Sequence, residues 1–280
     1  NEKVQISSSA FKVAFAGNIL SSFSFLKENN EGVITDVEAV IDGNNITICS
    51  PLVTDRSKLV ATFSTNGAKV LVNGAEQISG YTAVDFSSPV QYMVFSSSGE
   101  MNIYNVSVSG TGLPTVIINT PNGAQIPPKT ADWLEGTYIK IINADGTTDY
   151  EGKEDNIRGR GNSTWSYPKK PYAVKLDSKA SILGMPKHKR WVLLANWMDR
   201  TMLRNHVAFT MAKKTCLAWT PRGEFVEVVL NGKHVGNYYL CEQIKVDENR
   251  VNIHEMEDTD TEGEAITGGY LMELDTYFDE

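Results

Sequence analysis

Ile157-Arg-Gly-Arg-Gly-Asn-Ser-Thr-Trp165 is the stretch on which the reading of the C-terminal half turns. Two glycines alternate with two arginines, and Asn162, Ser163 and Thr164 follow at once. Small residues let a backbone approach an anion closely, and guanidinium forks bind phosphate oxygens in pairs. Spacing alone leaves two readings open: a phosphate-facing loop, or an exposed glycine-rich turn with solvated arginines.

Working outward, Lys170–Leu176 and Arg190–Ala195 alternate as strands downstream, and Thr115–Ile118 and Gly136–Ile142 do so upstream. After Asp199 the period changes. Leu203, Val207, Thr210 and Met211 recur at helical spacing, which predicts a helix over Arg200–Lys214 with Asp199 as its N-cap. Phe225–Leu230 and His234–Ile244 flank Asn231-Gly232, a two-residue hairpin signal. Strands, one helix and a hairpin predict an α+β domain.

Residues 1–112 read as all-β. Val37–Ile41, Asn45–Cys49, Leu59–Phe63, Lys69–Val72, Val90–Phe95 and Met101–Val108 are short strand-like segments separated by turn signals such as Asp42-Gly43 and Ser98-Gly99. Asn73-Gly74 predicts a hairpin, because Asn and Gly tolerate the positive φ that tight turns require. Strands of this length and spacing predict an immunoglobulin-like (Ig-like) sandwich. Ser109-Gly-Thr-Gly-Leu-Pro114 has linker composition. Two domains are therefore expected, an Ig-like β-sandwich over 1–112 and the α+β domain over 113–280.

The 280 residues are 41% hydrophobic and 21% charged, as in a globular protein, and no apolar run approaches the ~20 residues of a membrane-spanning helix. Asn1-Glu-Lys-Val4 lacks the basic region and apolar core of a signal peptide, so the start reads as following a removed leader. The net charge of −8 is unevenly spread. Residues 1–155 carry 9 basic and 17 acidic side chains, residues 156–245 carry 16 and 5, and residues 246–280 carry 1 and 12. A basic block of this density invites nucleic acid, but neither a basic amphipathic helix nor an aromatic-interleaved motif accompanies it. A smaller anion in a cleft, such as a nucleoside triphosphate, suits it as well. Cys49, Cys216 and Cys241 are far apart and sit in apolar stretches, which predicts small buried hydrophobes. The four histidines are as scattered, so a zinc site is not expected. Trp191, Leu193, Leu194 and Trp197 read as core.

Two resemblances sharpen this. Asp55–Gly67, Val72–Gly80 and Asp85–Tyr92 resemble the repeat-type Ig-like modules of bacterial extracellular proteins across nearly all of residues 20–108. That likeness implies a spacer or adhesion module outside the cytoplasm, without catalytic residues. The Ile157–Trp165 run is followed by Pro168-Lys-Lys-Pro-Tyr172, Leu183-Gly-Met-Pro-Lys187, Trp191–Asn196, Leu203-Arg-Asn205, Thr220-Pro-Arg222, Gly236-Asn-Tyr-Tyr239 and Glu242–Asp247. In this order the blocks are similar to the CotH (spore-coat protein H) kinase-like family across about residues 113–280. The resemblance implies a divergent protein-kinase-like fold that uses ATP and Mg2+ to phosphorylate protein substrates.

On that resemblance the candidate cofactor-binding residues are Arg158, Gly159, Arg160, Asn162, Ser163, Lys175, Arg204 and Glu242. Lys175 is either an outward solvated strand residue or the lysine that reaches the phosphates. Arg158 and Arg160 either cover the phosphates or pair with neighbours such as Asp155. Arg204 and Asn205 either link the helix to the site or cap and pair. Glu242 either stands at the connection between lobes, with a ribose contact, or is an edge-strand carboxylate. Phosphoryl transfer also needs one carboxylate near the acceptor hydroxyl and another for metal. The resemblance implies these in later Asn-Val-Asp and Trp-Asp-Phe-Asp segments, which do not occur before Glu280; Asp275 and Asp279 stand in a different context. The chain is thus expected to be a fragment lacking most catalytic equipment, from an extracytoplasmic kinase. The competing expectation is a non-catalytic surface adhesin or glycan-associated binding protein. Expected partners are a protein substrate and a surface glycan or another cell-surface protein, with no nucleic acid and no membrane-spanning segment.

Overall fold

The structure, a computed structural model, describes residues 17–272. Asn1-Glu-Lys-Val4, Asp275 and Asp279 lie outside the described residues. The chain divides into two compact units, Asn1–Gly112 and Leu113–Glu280.

The first unit contains β1 (Leu20–Phe25), β2 (Val37–Glu38), β3 (Val40–Asp42), β4 (Asn45–Cys49), β5 (Leu59–Val60), β6 (Thr62–Thr65), β7 (Lys69–Val72), β8 (Ala75–Glu76), β9 (Ala83–Val84), β10 (Val90–Phe95) and β11 (Met101–Ser109). They form a sheet ordered β2-β1-β6, a six-stranded sheet ordered β3-β4-β11-β10-β7-β8, and the pair β5-β9. Inward residues of both larger sheets share one core, in which the Phe23 ring lies 5.3 Å from Tyr92 and 5.7 Å from Phe25. Asn73 and Gly74 both take positive φ, 50° and 82°, in the tight turn that joins β7 to β8.

The second unit contains β12 (Thr115–Asn119), β13 (Leu134–Ile142), β14 (Thr148–Gly159), β15 (Tyr172–Ile182), β16 (Met185–Leu194), α1 (Arg204–Ala212), β17 (Gly223–Leu230), β18 (Lys233–Glu242) and the four-residue α2 (Glu264–Thr267). Its strands close into a barrel ordered β12-β13-β14-β15-β16-β18-β17. Closure is made by β12 lying parallel to β17, Thr115 opposite Glu227 through Ile118 opposite Leu230. The strand alternation sends Ile157, Val174, Leu176, Trp191, Leu193, Val226, Val228, Tyr238 and Leu240 inward as the barrel core.

The expected α+β, kinase-like architecture of this half is overturned: it is a closed seven-stranded barrel with one nine-residue helix on its outside. The strands are longer than their apolar signal. The first part of β14, Thr148–Asn156, is almost wholly polar, because its inward position is filled by Asp155. Asp155 is buried, accepts a bond from the Tyr150 hydroxyl at 2.8 Å and another from the Asp177 amide at 2.9 Å, and burial raises its pKa above the ordinary carboxylate value. The β15–β16 turn is hidden too. It is made by Leu183 and Gly184 at φ 48° and 75°, and leucine is no turn signal. Leu183 is held there by its amide bonding to Asp149 Oδ2 at 2.8 Å.

Other expectations also shift. The helix spans Arg204–Ala212 rather than Arg200–Lys214. Asp199 still serves its start from upstream, accepting the Arg204 amide at 2.8 Å. Leu203, Val207 and Met211 are exposed, while Phe209 and His206 meet the barrel. Trp191 and Leu193 are core, but Trp197 is 49% exposed. Of the cysteines only Cys241 is buried.

The barrel register gives a paired expectation. Ile157→Ala empties a fully buried inward position and should cost roughly 2–5 kcal/mol, whereas Asn156→Ala, one residue away and outward, should change stability by no more than about 0.5 kcal/mol. Equilibrium urea unfolding checks this, and equal losses for the two variants would contradict the register.

Candidate functional site

Outward residues of β16, β17 and β18 differ from those of an ordinary solvated strand. Val192, Leu194, Phe225, Tyr239 and Cys241 form a second small apolar cluster, against which Phe209 of α1 packs. The His206 ring lies 5.4 Å from Phe225 and 5.8 Å from Tyr239, so α1 is pinned along the outer face of the barrel. Beside it opens a cleft of about 910 Å³. Its walls come from the segment 160–171, the turn 195–199, α1 and the strap 243–246 that leaves β18. Val192, Leu194, Cys241 and Phe209 give it an apolar floor, while Arg160, Lys169, Arg204 and Lys245 stand around it.

Three acids line the cleft, Asp199, Glu242 and Glu255, and the first two are already occupied. Asp199 accepts from the Thr201 hydroxyl at 2.6 Å and from the Arg204 amide, and these bonds hold its pKa below the usual carboxylate range. The Arg204 guanidinium stands 3.7 Å from the same carboxylate. Glu242 lines the cleft, but its carboxylate is fully buried and points to the barrel interior. There Arg222 Nη2 lies 2.8 Å from Oε1 and Arg222 Nε donates to Oε2 at 3.0 Å, while the buried Arg250 donates to Oε1 as well. The Arg250 guanidinium lies 4.9 Å from the Trp191 ring, and burial, with Arg222 nearby, lowers its pKa to about 10. This tie fastens the strap behind β18 to the barrel and spends the Glu242 charge internally.

The Ile157–Trp165 run divides its labour. Gly159 donates its amide to the Pro127 carbonyl, and a Cβ there would lie 2.6 Å from the Trp165 ring. Gly161 takes φ 83°. Both glycines therefore fold the loop over Trp165, itself packed against the barrel core. Asn162 receives the Lys129 ammonium, and the Ser163 carbonyl receives the Ser166 hydroxyl at 2.6 Å. Arg158 and Arg160 project outward from this scaffold: Arg160 lines the cleft, and Arg158 lies against Trp133. Lys175 also points outward, on the row Asn156–Lys175–Arg190. The adjacent row, Arg158–Ala173–Val192–Cys241, runs directly into the cleft floor. Arg160, Arg204 and Glu242 thus line the cleft, Arg158 and Lys175 share its barrel face, and Gly159, Asn162 and Ser163 belong to the loop framework.

Sequence reasoning passed over Lys169, Lys245 and the apolar floor. Lys169 lies 4.4 Å from the Tyr238 ring and donates to the Asn237 carbonyl. Burial lowers its pKa from 10.5 to about 8, against the opposing pull of Glu227. Its one available sequence signal was its place in the Pro168-Lys-Lys-Pro171 block.

A cleft with an apolar floor, in which cations without an ion-paired acid outnumber the one unpaired carboxylate, Glu255, suits a ligand that is anionic at one end and flat and apolar at the other. Among the described residues no three of His, Cys, Asp and Glu converge as a metal site. The lowered Lys169 pKa has a direct readout. Pulse labelling with a small amine-reactive anhydride across pH 6–10, read by peptide mass spectrometry, should give a labelling midpoint near pH 8 for Lys169. A midpoint near the ordinary lysine value would show that its burial leaves the ammonium fully solvated.

Residues 157–279 match the family described as CotH kinase protein, and residues 20–108 match that described as SGBP, N-terminal. A search of curated proteins found no match. The first match takes in β15 to β18, α1 and the cleft residues, while β12, β13 and most of β14 precede it. Residues 157–279 are thus similar to the CotH kinase protein family, and they are preceded by residues similar to an SGBP N-terminal module.

Proposed function

We propose that the cleft of the CotH domain binds a nucleoside triphosphate, ATP in the first instance, and that the protein belongs to an extracytoplasmic kinase-like system acting on hydroxyls of a protein substrate. One observation carries this reading. Arg160, Lys169 and Lys245 border an apolar floor, and none of them has a carboxylate within ion-pair distance among the described residues. Cations held unpaired beside apolar surface favour an anionic ligand with a flat apolar part. When bound, ATP supplies a transferable phosphoryl group. The residues of this chain bind and orient: Val192, Leu194, Cys241 and Phe209 exclude water from one side, and Arg160 and Lys169 neutralise phosphate charge.

A second reading is a non-catalytic surface protein in which the CotH domain is retained as a binding module. The SGBP match favours it, with a surface glycan as partner of residues 20–108. No helix among the described residues is long and apolar enough to cross a membrane, which is compatible with either reading.

Isothermal titration separates the two. ATP should bind with or without Mg2+, and Arg160→Ala and Lys169→Met should each weaken it by roughly 10- to 100-fold, the range for hydrogen bonds to charged groups. Absence of ATP binding at millimolar concentration, or affinity indifferent to both variants, would sink the nucleotide reading. Glycan binding by the same chain without nucleotide binding would establish the second.

A further inference from the structure

The outer face of β14, β15 and β16 carries an arrangement unlike the rest of the barrel. Lys175 and Arg190 are direct cross-strand partners, and like charges placed opposite one another repel. The same barrel uses the opposite pattern elsewhere. Lys140 on β13 faces Glu151 on β14, with their charged atoms 3.5 Å apart. Arg158 stands on the neighbouring row, and the Arg190 guanidinium is depressed in proton affinity by burial and then by Arg158. None of Arg158, Lys175 and Arg190 has a carboxylate within ion-pair distance among the described residues.

What holds two of them is a single indole. The Arg158 guanidinium lies 4.4 Å and the Arg190 guanidinium 4.7 Å from the centre of the Trp133 ring. An aromatic face attracts and orients a guanidinium without cancelling its charge or occupying its N–H donors. A carboxylate in the same place would do both. The cluster is therefore positioned but not neutralised, and it lies one residue row from Val192 and Cys241 of the cleft floor.

We propose that Arg190, together with Arg158 and Lys175, binds the outer phosphates of a polyphosphate ligand at the edge of the cleft, with Trp133 as the residue that positions both guanidiniums. The proposal rests on the nucleotide reading of the cleft and adds to it where the phosphate chain runs. Arg190 is a binding residue in this scheme; Trp133 acts through the arginines and touches no phosphate.

The test uses the full chain and three probes: ATP, AMP and inorganic tripolyphosphate. Arg190→Gln should weaken ATP and tripolyphosphate by roughly 10- to 100-fold while leaving AMP nearly unchanged, because AMP lacks the outer phosphates. Arg190→Lys keeps the charge but loses the fork, and should recover only part of the loss. Trp133→Leu should weaken both polyphosphates, and Trp133→Phe should restore them. Tripolyphosphate should also change the tryptophan emission of the wild type, and this response should vanish in Trp133→Phe. Circular dichroism melting establishes that each variant is folded, and Arg190→Lys serves if Arg190→Gln is not.

The outcomes separate the two claims. If ATP binds and Arg190→Gln leaves it unchanged, or weakens AMP equally, this proposal is overturned and the cleft reading stands. If tripolyphosphate binds through Arg190 while ATP shows no added affinity from its adenosine, the anion site stands and the nucleotide reading of the cleft falls. If neither ATP nor tripolyphosphate binds, both are overturned.

Discussion

β12 lies parallel to β17, and on this pairing everything described for the C-terminal unit depends. Without it the strands would form an open sheet with two unpaired edges, a liability that barrel closure removes. The seam is reinforced beyond its ladder. The Asn231 side chain accepts the Thr120 amide at 2.9 Å, and the Asn231 amide bonds to the Ile118 carbonyl at 2.8 Å. Asn231 can do this because it occupies the tight β17–β18 turn at φ 50°, so one residue both turns the hairpin and fastens the distant strand. Closure in turn fixes which residues face out, and the cleft is built entirely on that outer face and its flanking segments.

Charge is then sorted by burial. The basic block of residues 156–245 looks uniform in composition, yet its members meet different fates. Arg222 is drawn to the interior carboxylate of Glu242, Lys179 pairs with Asp247 at 2.8 Å, and Arg204 lies beside Asp199. Arg160, Lys169, Arg158, Lys175 and Arg190 are left facing one side of the barrel without an ion-paired acid among the described residues. A paired surface cation contributes little to stability and is spent as a ligand contact. The unpaired ones retain their attraction for an anion, and aromatic partners such as Trp133 and Tyr238 hold them without neutralising them.

The Arg-Gly-Arg-Gly run takes on a changed meaning in this setting. Its glycines suggest a backbone approaching a ligand, but Gly159 is required by the Trp165 ring and Gly161 by a left-handed φ. The loop is glycine-bearing because it folds over an indole, and its contribution to the site is the outward aim of two arginines. Conversely, Glu242 looks available in sequence and is consumed in the structure by two guanidiniums.

Features with local causes were legible in the chain alone. Alternation marked the cores of β15, β16, β17 and β18, and Asn73-Gly74 and Asn231-Gly232 marked the β7–β8 and β17–β18 hairpins through positive φ. The spaced blocks from Ile157 onward carried the family resemblance, and Arg158, Arg160 and Lys175 were named from them. The barrel, the extent of β14 and β15, the exposed side of α1, and the placing of Lys169 beside the cleft and of Arg190 beside Trp133 arise from long-range packing. The reason is physical. Alternation states which face of a strand is apolar, but not which strand lies next to it. The partner of β12 is more than a hundred residues away, and the choice is made by packing a common core. Which cations stay free follows from that choice, because a charge is paired or left unpaired only by what closure brings within reach of it.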